Sequence, residues 1–135
     1  MACVLIADDD PTVRLIVSEL LTPAGHQVLE AGDGAQAVKT IAAGGVDLLI
    51  LDMFMPNKDG LETIMEIRAA GQALKILAIS SGRRGQVSEL LRTAVLFGAD
   101  ASLSKPLNLR TFAATVEDLL GRRPITASPS PPPKP

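Results

Sequence analysis

Three acids, a hydroxyl and an amine stand at the ends of apolar runs in this chain, in an order that suits phosphoryl chemistry. The run 48–51 is closed by Asp52, and the run 4–7 by Asp8 and Asp9, with Asp10 following. Residues 76–79 lead into Ser80 and Ser81, and residues 101–104 into Lys105 and Pro106. A carboxylate directly after a buried strand is costly unless something at that edge of the sheet uses it. If the four strands are parallel, their carboxyl ends share one edge, where open α/β sheets hold their ligands. Carboxylates gathered there repel and raise each other's pKa unless a cation intervenes. A hard divalent ion such as Mg²⁺, bound by one or two carboxylates, waters and phosphate oxygens, removes the conflict. It also neutralises an incoming phosphoryl group while a carboxylate attacks it; aspartyl phosphates form by such nucleophilic chemistry. Asp52 is therefore read as the phosphoacceptor, with Asp8 and Asp9 beside it, Lys105 countering charge on the phosphate and Ser80 donating to its oxygens. Any one of these acids alone reads as a cap or turn residue; the joint pattern carries the argument.

To bring these groups together the chain must alternate strands and helices. Asp10 and Pro11 read as an N-cap and first helical residue. Val13, Ile16, Val17, Leu20 and Leu21 then recur at helical spacing as a buried face. Residues 22–25 stop that helix, 27–31 make a short strand and 32–34 a turn. A helix over 35–43 turns Val38 and Ile41 inward and closes on Gly44 and Gly45. After the central strand 47–51, the loop 53–60 leads to a helix that faces the core with Leu61, Ile64 and Met65 and ends at Gly71. A strand over 75–79 runs into a polar loop carrying Arg83 and Arg84. The next helix buries Val87, Leu90, Leu91, Ala94 and Val95 and stops at Gly98. A strand over 101–104 and a helix over 108–120, burying Leu109, Phe112, Val116 and Leu119, complete the series. Five strands alternating with five helices through short connections predict an α/β fold, a parallel sheet covered on both faces.

Composition narrows the function classes. With 135 residues, 47% of them hydrophobic and 21% charged, the chain is one domain's length with a substantial core. A formal net charge of -2 supplies no basic excess for binding nucleic acid. Three Phe and no Trp or Tyr give no base-stacking platform. A single Cys3 cannot form an internal disulfide and reads as a buried structural thiol. No apolar run approaches the roughly 20 residues that span a bilayer, and no basic segment followed by an apolar stretch opens the chain. The expectation is a cytoplasmic protein with no membrane partner. Residues 122–135 hold six of the ten prolines and are expected to be a disordered or polyproline-like tail rather than a docking segment, leaving 1–121 as the domain.

Over about residues 3–121 the chain resembles the receiver domain of bacterial two-component response regulators. The resemblance rests on Asp8-Asp9, Asp52 with Met55-Pro56 and Asp59-Gly60 after it, Ser80, Gly98-Ala99-Asp100, and Lys105-Pro106. It implies a flavodoxin-like (βα)5 doubly wound sheet of strand order 2-1-3-4-5 and a cis Lys105-Pro106 bond. It implies that Asp52 takes a phosphoryl group from a phosphohistidine of a histidine kinase or histidine phosphotransfer protein. Asp9 and Asp52 would ligate Mg²⁺ with the backbone carbonyl of Phe54, and Asp8 would act mainly through water. Ser80 would be the switch hydroxyl and Lys105 the phosphate partner. No output domain follows residue 120, so the chain looks like a stand-alone, chemotaxis-type receiver. It would signal to a protein target or shuttle phosphate, and would not be a turnover enzyme.

Three departures from the family pattern stand out. Ser102 occupies the place of an inward-turning Tyr or Phe, so that aromatic switch cannot operate. The loop 81–86 is longer than usual, and its Arg83 and Arg84 read as a solvated segment with partner contact as the alternative. Phe54 and Gly82 stand where polar side chains orient hydrolytic water, which implies a long-lived acyl phosphate. His26 is expected to serve at the surface or as a cap, and Leu15 to be exposed near the acidic end, either as an ordinary surface leucine or as a kinase contact.

A competing class fits the opening motif. Asp8, Asp10 and Thr12 after an apolar strand match haloacid-dehalogenase-type phosphatases, with Asp8 as nucleophile and Asp10 as acid/base. Such enzymes need further metal-binding acids after the lysine, where this chain has only Glu117 and Asp118 inside the last helix. That reading also leaves Asp52 unused. A phosphorylation-independent interaction module is a third reading, against which the intact acids and lysine argue.

Overall fold

A computed structural model of the chain describes residues 2–55, 57–80 and 86–121, with the side chains of 86–88 outside the description. The expectations placed on Pro56, on Gly82, Arg83 and Arg84, on the Val87 side chain and on the tail 122–135 therefore lie outside the described residues.

Among the described residues ten elements alternate: β1 (Cys3–Ala7), α1 (Pro11–Leu21), β2 (Gln27–Ala31), α2 (Gly34–Ala42), β3 (Leu48–Asp52), α3 (Gly60–Ala69), β4 (Lys75–Ser80), α4 (Gln86–Leu96), β5 (Ala101–Ser104) and α5 (Leu109–Leu119). The strands form one sheet in the order β2-β1-β3-β4-β5, and every pairing is parallel. This is the flavodoxin-like order expected from the resemblance. The register aligns Ala7 with Leu51 and Asp52 with Ile79, so the ends of β1, β3 and β4 lie side by side. Asp52 is the last residue of β3, one position earlier relative to the strand end than the pattern implied.

The sheet divides the core because side chains alternate along a strand. Leu5, Leu49, Leu51, Ile76 and Ala78 pack on one face with Ala37 and Ile41 of α2, Ile64 and Ile67 of α3, and Leu91 and Ala94 of α4. Val4, Ile6, Leu48, Ile50, Leu77 and Ile79 pack on the other with Val17 and Leu21 of α1 and Phe112 and Val116 of α5. Strands buried on both faces read as continuous apolar runs, which is why they were legible in the sequence.

Four helix positions assigned inward are exposed: Ile16, Met65, Val95 and Leu109. Successive helical residues are about 100° apart, so the stripe touching a flat sheet is narrow. Ile16 is displaced around α1 from Val17 and Leu21, the residues that are buried. On α3 the inward set is Thr63, Ile64 and Ile67, which leaves Met65 outside. Val95 lies next to the buried Ala94, and Leu109 is the first residue of α5, just after the Asn108 cap.

Caps hold the helix starts that point toward the site. Asp10 accepts from the Thr12 N–H and Pro11 follows it, as expected. Asp33 accepts from the Gln36 N–H, so the turn before α2 is an N-cap, and Asp59 forms a capping box with Glu62.

Candidate functional site

The carboxyl edge of β1, β3, β4 and β5 brings the predicted residues into one place. Asp8 is buried after β1, and its carboxylate is fully engaged: Oδ1 accepts the Asp10 N–H at 2.9 Å and Oδ2 accepts the Lys105 ammonium at 2.8 Å. Asp52 stands beside it at the tip of β3, 4% exposed, with Oδ1 accepting the Phe54 N–H at 3.1 Å and Oδ2 3.5 Å from Lys105 Nζ. Asp9 is exposed at the rim. Asp8, Asp9 and Asp52 each offer one oxygen, and these all lie within 4.8 Å of one another.

The electrostatics follow from burial. Loss of water pushes the Asp52 carboxyl up to about 6, and the charge of Asp8 adds to that, against the opposing Phe54 N–H and Lys105 ammonium. Burial alone would lower the Lys105 pKa. Its hydrogen bond to Asp8 and the charges of Asp52 and Asp8 outweigh that, and the net shift is upward, so the amine is held charged. Asp52 is thus a carboxylate with little water around it and, among the described residues, the Lys105 ammonium and the acids Asp8 and Asp9 for neighbours. Among the described residues, three carboxylates against one ammonium leave an excess of negative charge that an oxygen-ligated hard cation fits.

Ser80 is buried as the last residue of β4, and its carbonyl accepts the Lys105 N–H at 2.8 Å. That bond places β5's exit loop against β4, beside a cis Lys105-Pro106 peptide, as expected. Phe54 projects its ring outward at the mouth of the site, and Leu15 is exposed on α1 as anticipated. Ser102 is half-buried on β5, paired with Ala78.

Other sequence expectations resolve differently. His26 is buried, not at the surface: its Nε2 lies 2.8 Å from Glu117 Oε2 of α5, a partner 91 residues away that no local signal could reveal. Glu117 is therefore committed to His26 and Asp10 to capping α1, which removes two acids a dehalogenase-type phosphatase would need. Cys3 is half-buried, and burial followed by the charge of Asp47 raises its thiol pKa, which lowers its thiolate fraction.

The sequence did not show what Arg14 and Arg68 bind, or why a glycine stands at position 60. Arg14 reaches the Asp8 carbonyl at 2.7 Å and Glu30 at 2.9 Å. Arg68 of α3 donates to the Gly98, Gln72 and Leu74 carbonyls and to Asp100, whose Oδ2 also accepts the Ile76 N–H at 2.8 Å. This gives Gly98 and Asp100 a structural part, tying α4's exit to the start of β4. Gly60 lets α3 start against the site: a Cβ there would stand 2.6 Å from Met53 Cα and 3.1 Å from the Asp52 carbonyl. Among the described residues no helix is long and apolar enough to cross a membrane.

Comparison with known proteins agrees with this geometry. The family model described as "Response regulator receiver domain" matches residues 4–117. The transcriptional regulatory protein CpxR of Klebsiella pneumoniae is 39% identical over 120 residues, 88% of this chain and 49% of that protein. The response regulator MprA of Mycobacterium ulcerans is 40% identical over 120 residues, 88% of this chain and 50% of that protein. The chain thus spans about half the length of these curated relatives. Among solved structures, the chemotaxis protein CheY4 of Vibrio cholerae superposes with a TM-score of 0.76 at 30% identity, covering 88% of this chain and 98% of that one.

Proposed function

The chain belongs to the response regulator receiver domain family, and we propose that it is the phosphoryl-accepting switch of a two-component phosphorelay, with Asp52 as acceptor. The observation that carries this reading is the buried Asp52 carboxylate at the tip of the central strand, with the Lys105 ammonium bridging it to Asp8. A carboxylate with little water around it is a better nucleophile than a hydrated one, provided positive charge meets the phosphoryl oxygens.

An Asp52 oxygen attacks the phosphorus of a phosphohistidine on a histidine kinase or histidine phosphotransfer protein. The P–N bond breaks as the P–O bond forms, and the imidazole leaves with its electron pair. Asp9 and Asp52, with the backbone carbonyl of Phe54, are the groups that would hold Mg²⁺ directly, and Asp8 would do so through water. When bound, the ion supplies charge neutralisation to the transferring phosphoryl group. Lys105 moves from Asp8 toward the new phosphoryl oxygens, and the Ser80 hydroxyl donates to another.

Phosphorylation adds roughly 1.5–2 negative charges. Lys105 and Ser80 respond and carry strand ends β4 and β5 with them, biasing a two-state equilibrium. Moving it almost completely takes about 5.5 kcal/mol of preference for the active state. Ser102 offers no aromatic lever, so the change passes through Lys105 and Ser80 to a protein target or ends in onward phosphate transfer. The domain accepts and loses its own phosphoryl group and turns over no other substrate; its place of action is the cytoplasm. Phe54 offers no polar side chain to orient water, so the acyl phosphate is long-lived.

Incubation with Mg²⁺ and a small phosphodonor, followed by a phosphate-affinity gel, tests this. Wild type accumulates phosphoprotein that decays slowly, and Asp52→Asn accumulates none. Substrate turnover lost in Asp8→Asn but kept in Asp52→Asn would favour a phosphatase, and a half-life of only seconds would refute the stable acyl phosphate.

A further inference from the structure

Arg14 is the fourth residue of α1 and meets the acidic turn at its backbone, not at a carboxylate of the site. Its side chain is 22% exposed, and its guanidinium spans two strand ends. Nη1 donates to the Asp8 carbonyl at 2.7 Å, and Nε donates to Glu30 Oε1 near the end of β2 at 2.9 Å. Asp8 has three further anchors. Its N–H donates to the Ala31 carbonyl at 3.1 Å, Oδ1 accepts from the Asp10 N–H and Oδ2 accepts from Lys105.

The anchors differ in what happens to them during function. Lys105 is the one a phosphoryl group competes for, and once it is drawn toward Asp52 the Asp8 carboxylate loses its cation. Arg14 is the cationic anchor among the four that no phosphoryl group in the pocket would displace, because it holds the carbonyl side of the turn. We propose that Arg14 is a positioning residue: its two-pronged hold on the Asp8 carbonyl and Glu30 keeps Asp8 and Asp9 facing Asp52 before and after Lys105 changes partner. This rests on the reading of Asp52 as phosphoacceptor beside a divalent ion. A lysine could replace one of the two bonds but not the fork.

Calorimetric titration with Mg²⁺ tests the inference without any phosphoryl transfer. Wild type, Arg14→Ala, Arg14→Lys and Asp52→Asn are compared, with Arg68→Ala as a control that loses stability far from the turn. Arg14→Ala is expected to bind Mg²⁺ about tenfold more weakly, the size of effect seen when groups supporting metal ligands are removed. Arg14→Lys falls between it and wild type, and Arg68→Ala, though less stable, keeps wild-type affinity. A folded Arg14→Ala that binds as wild type does overturns the inference. If Arg14→Ala does not fold, wild-type affinity in Arg14→Lys overturns it equally. Equal weakening in Arg68→Ala overturns it too, since the effect would then follow stability. Wild type that takes up no Mg²⁺, or an Asp52→Asn that binds as wild type does, brings down the functional reading itself and this inference with it.

Discussion

Lys105 is bound to Asp8 more closely than to Asp52: its ammonium is 2.8 Å from Asp8 Oδ2 and 3.5 Å from Asp52 Oδ2. In the unmodified protein the amine serves mainly to hold a buried acid that has no exposure of its own. Lys105→Met therefore leaves Asp8 without its cation and is expected to cost about 3 kcal/mol of stability near neutral pH. Adding Asp8→Asn should return most of that. A double-mutant cycle by urea denaturation measures the coupling.

The raised pKa of Asp52 makes stability depend on pH in a defined window. The folded-state value is about 6, against about 3.9 for an unperturbed Asp. Below about pH 4 both states keep the proton. From there to about 6, the folded state keeps a proton that the unfolded chain has released, so stability falls as pH rises; above that the penalty is complete. Asp52→Asn removes it and should be more stable than wild type by on the order of 2 kcal/mol at pH 8. The difference should vanish toward pH 4 in thermal melts without divalent ions. Mg²⁺ should raise the melting temperature of wild type and not of Asp52→Asn, and chelation should reverse the gain.

Gly60 supports the site by being small. Gly60→Ala would drive a Cβ into Met53 Cα at 2.6 Å, and backbone has to move to admit it. The expected cost is about 1–3 kcal/mol, with slower phosphorylation because Asp52 lies directly before Met53. Gly32→Ala, whose Cβ would meet nothing nearer than 3.9 Å, is the matched control and should keep both properties. Chemical denaturation and phosphodonor kinetics on the two variants check this.

Arg68 holds backbone at α3, α4 and β4 through its fan of hydrogen bonds. Arg68→Ala removes this donor from three half-buried carbonyls and from Asp100, which keeps the Ile76 N–H, and should cost on the order of 2 kcal/mol. Arg68→Lys should recover little, since one ammonium cannot replace a planar fork. Melting temperatures of the three proteins settle the order.

The sheet was legible because its strands are buried on both faces: residues 48–51 and 76–79 are apolar without interruption, and each ends in the polar residue that the site uses. Asp8, Asp9, Asp52, Ser80 and Lys105 could be placed on one edge because each stands at the carboxyl end of a strand expected to be parallel to the others. What could not be read depends on distance along the chain. His26 meets Glu117, Arg68 meets Asp100 and Arg14 meets Glu30, all across separations that carry no periodic signal. Helix faces were only partly legible, because apolar residues such as Ile16 and Met65 extend past the narrow stripe a sheet can cover.

Reductive trapping of the acyl phosphate tests the central claim most directly. Borohydride converts an aspartyl phosphate to homoserine, and tandem mass spectrometry of the treated, phosphodonor-incubated protein locates the altered residue. The site should be Asp52, in Mg²⁺-containing samples and not in chelated ones. Homoserine at Asp8 or Asp9, or phosphoprotein with no alteration at Asp52, would contradict the account.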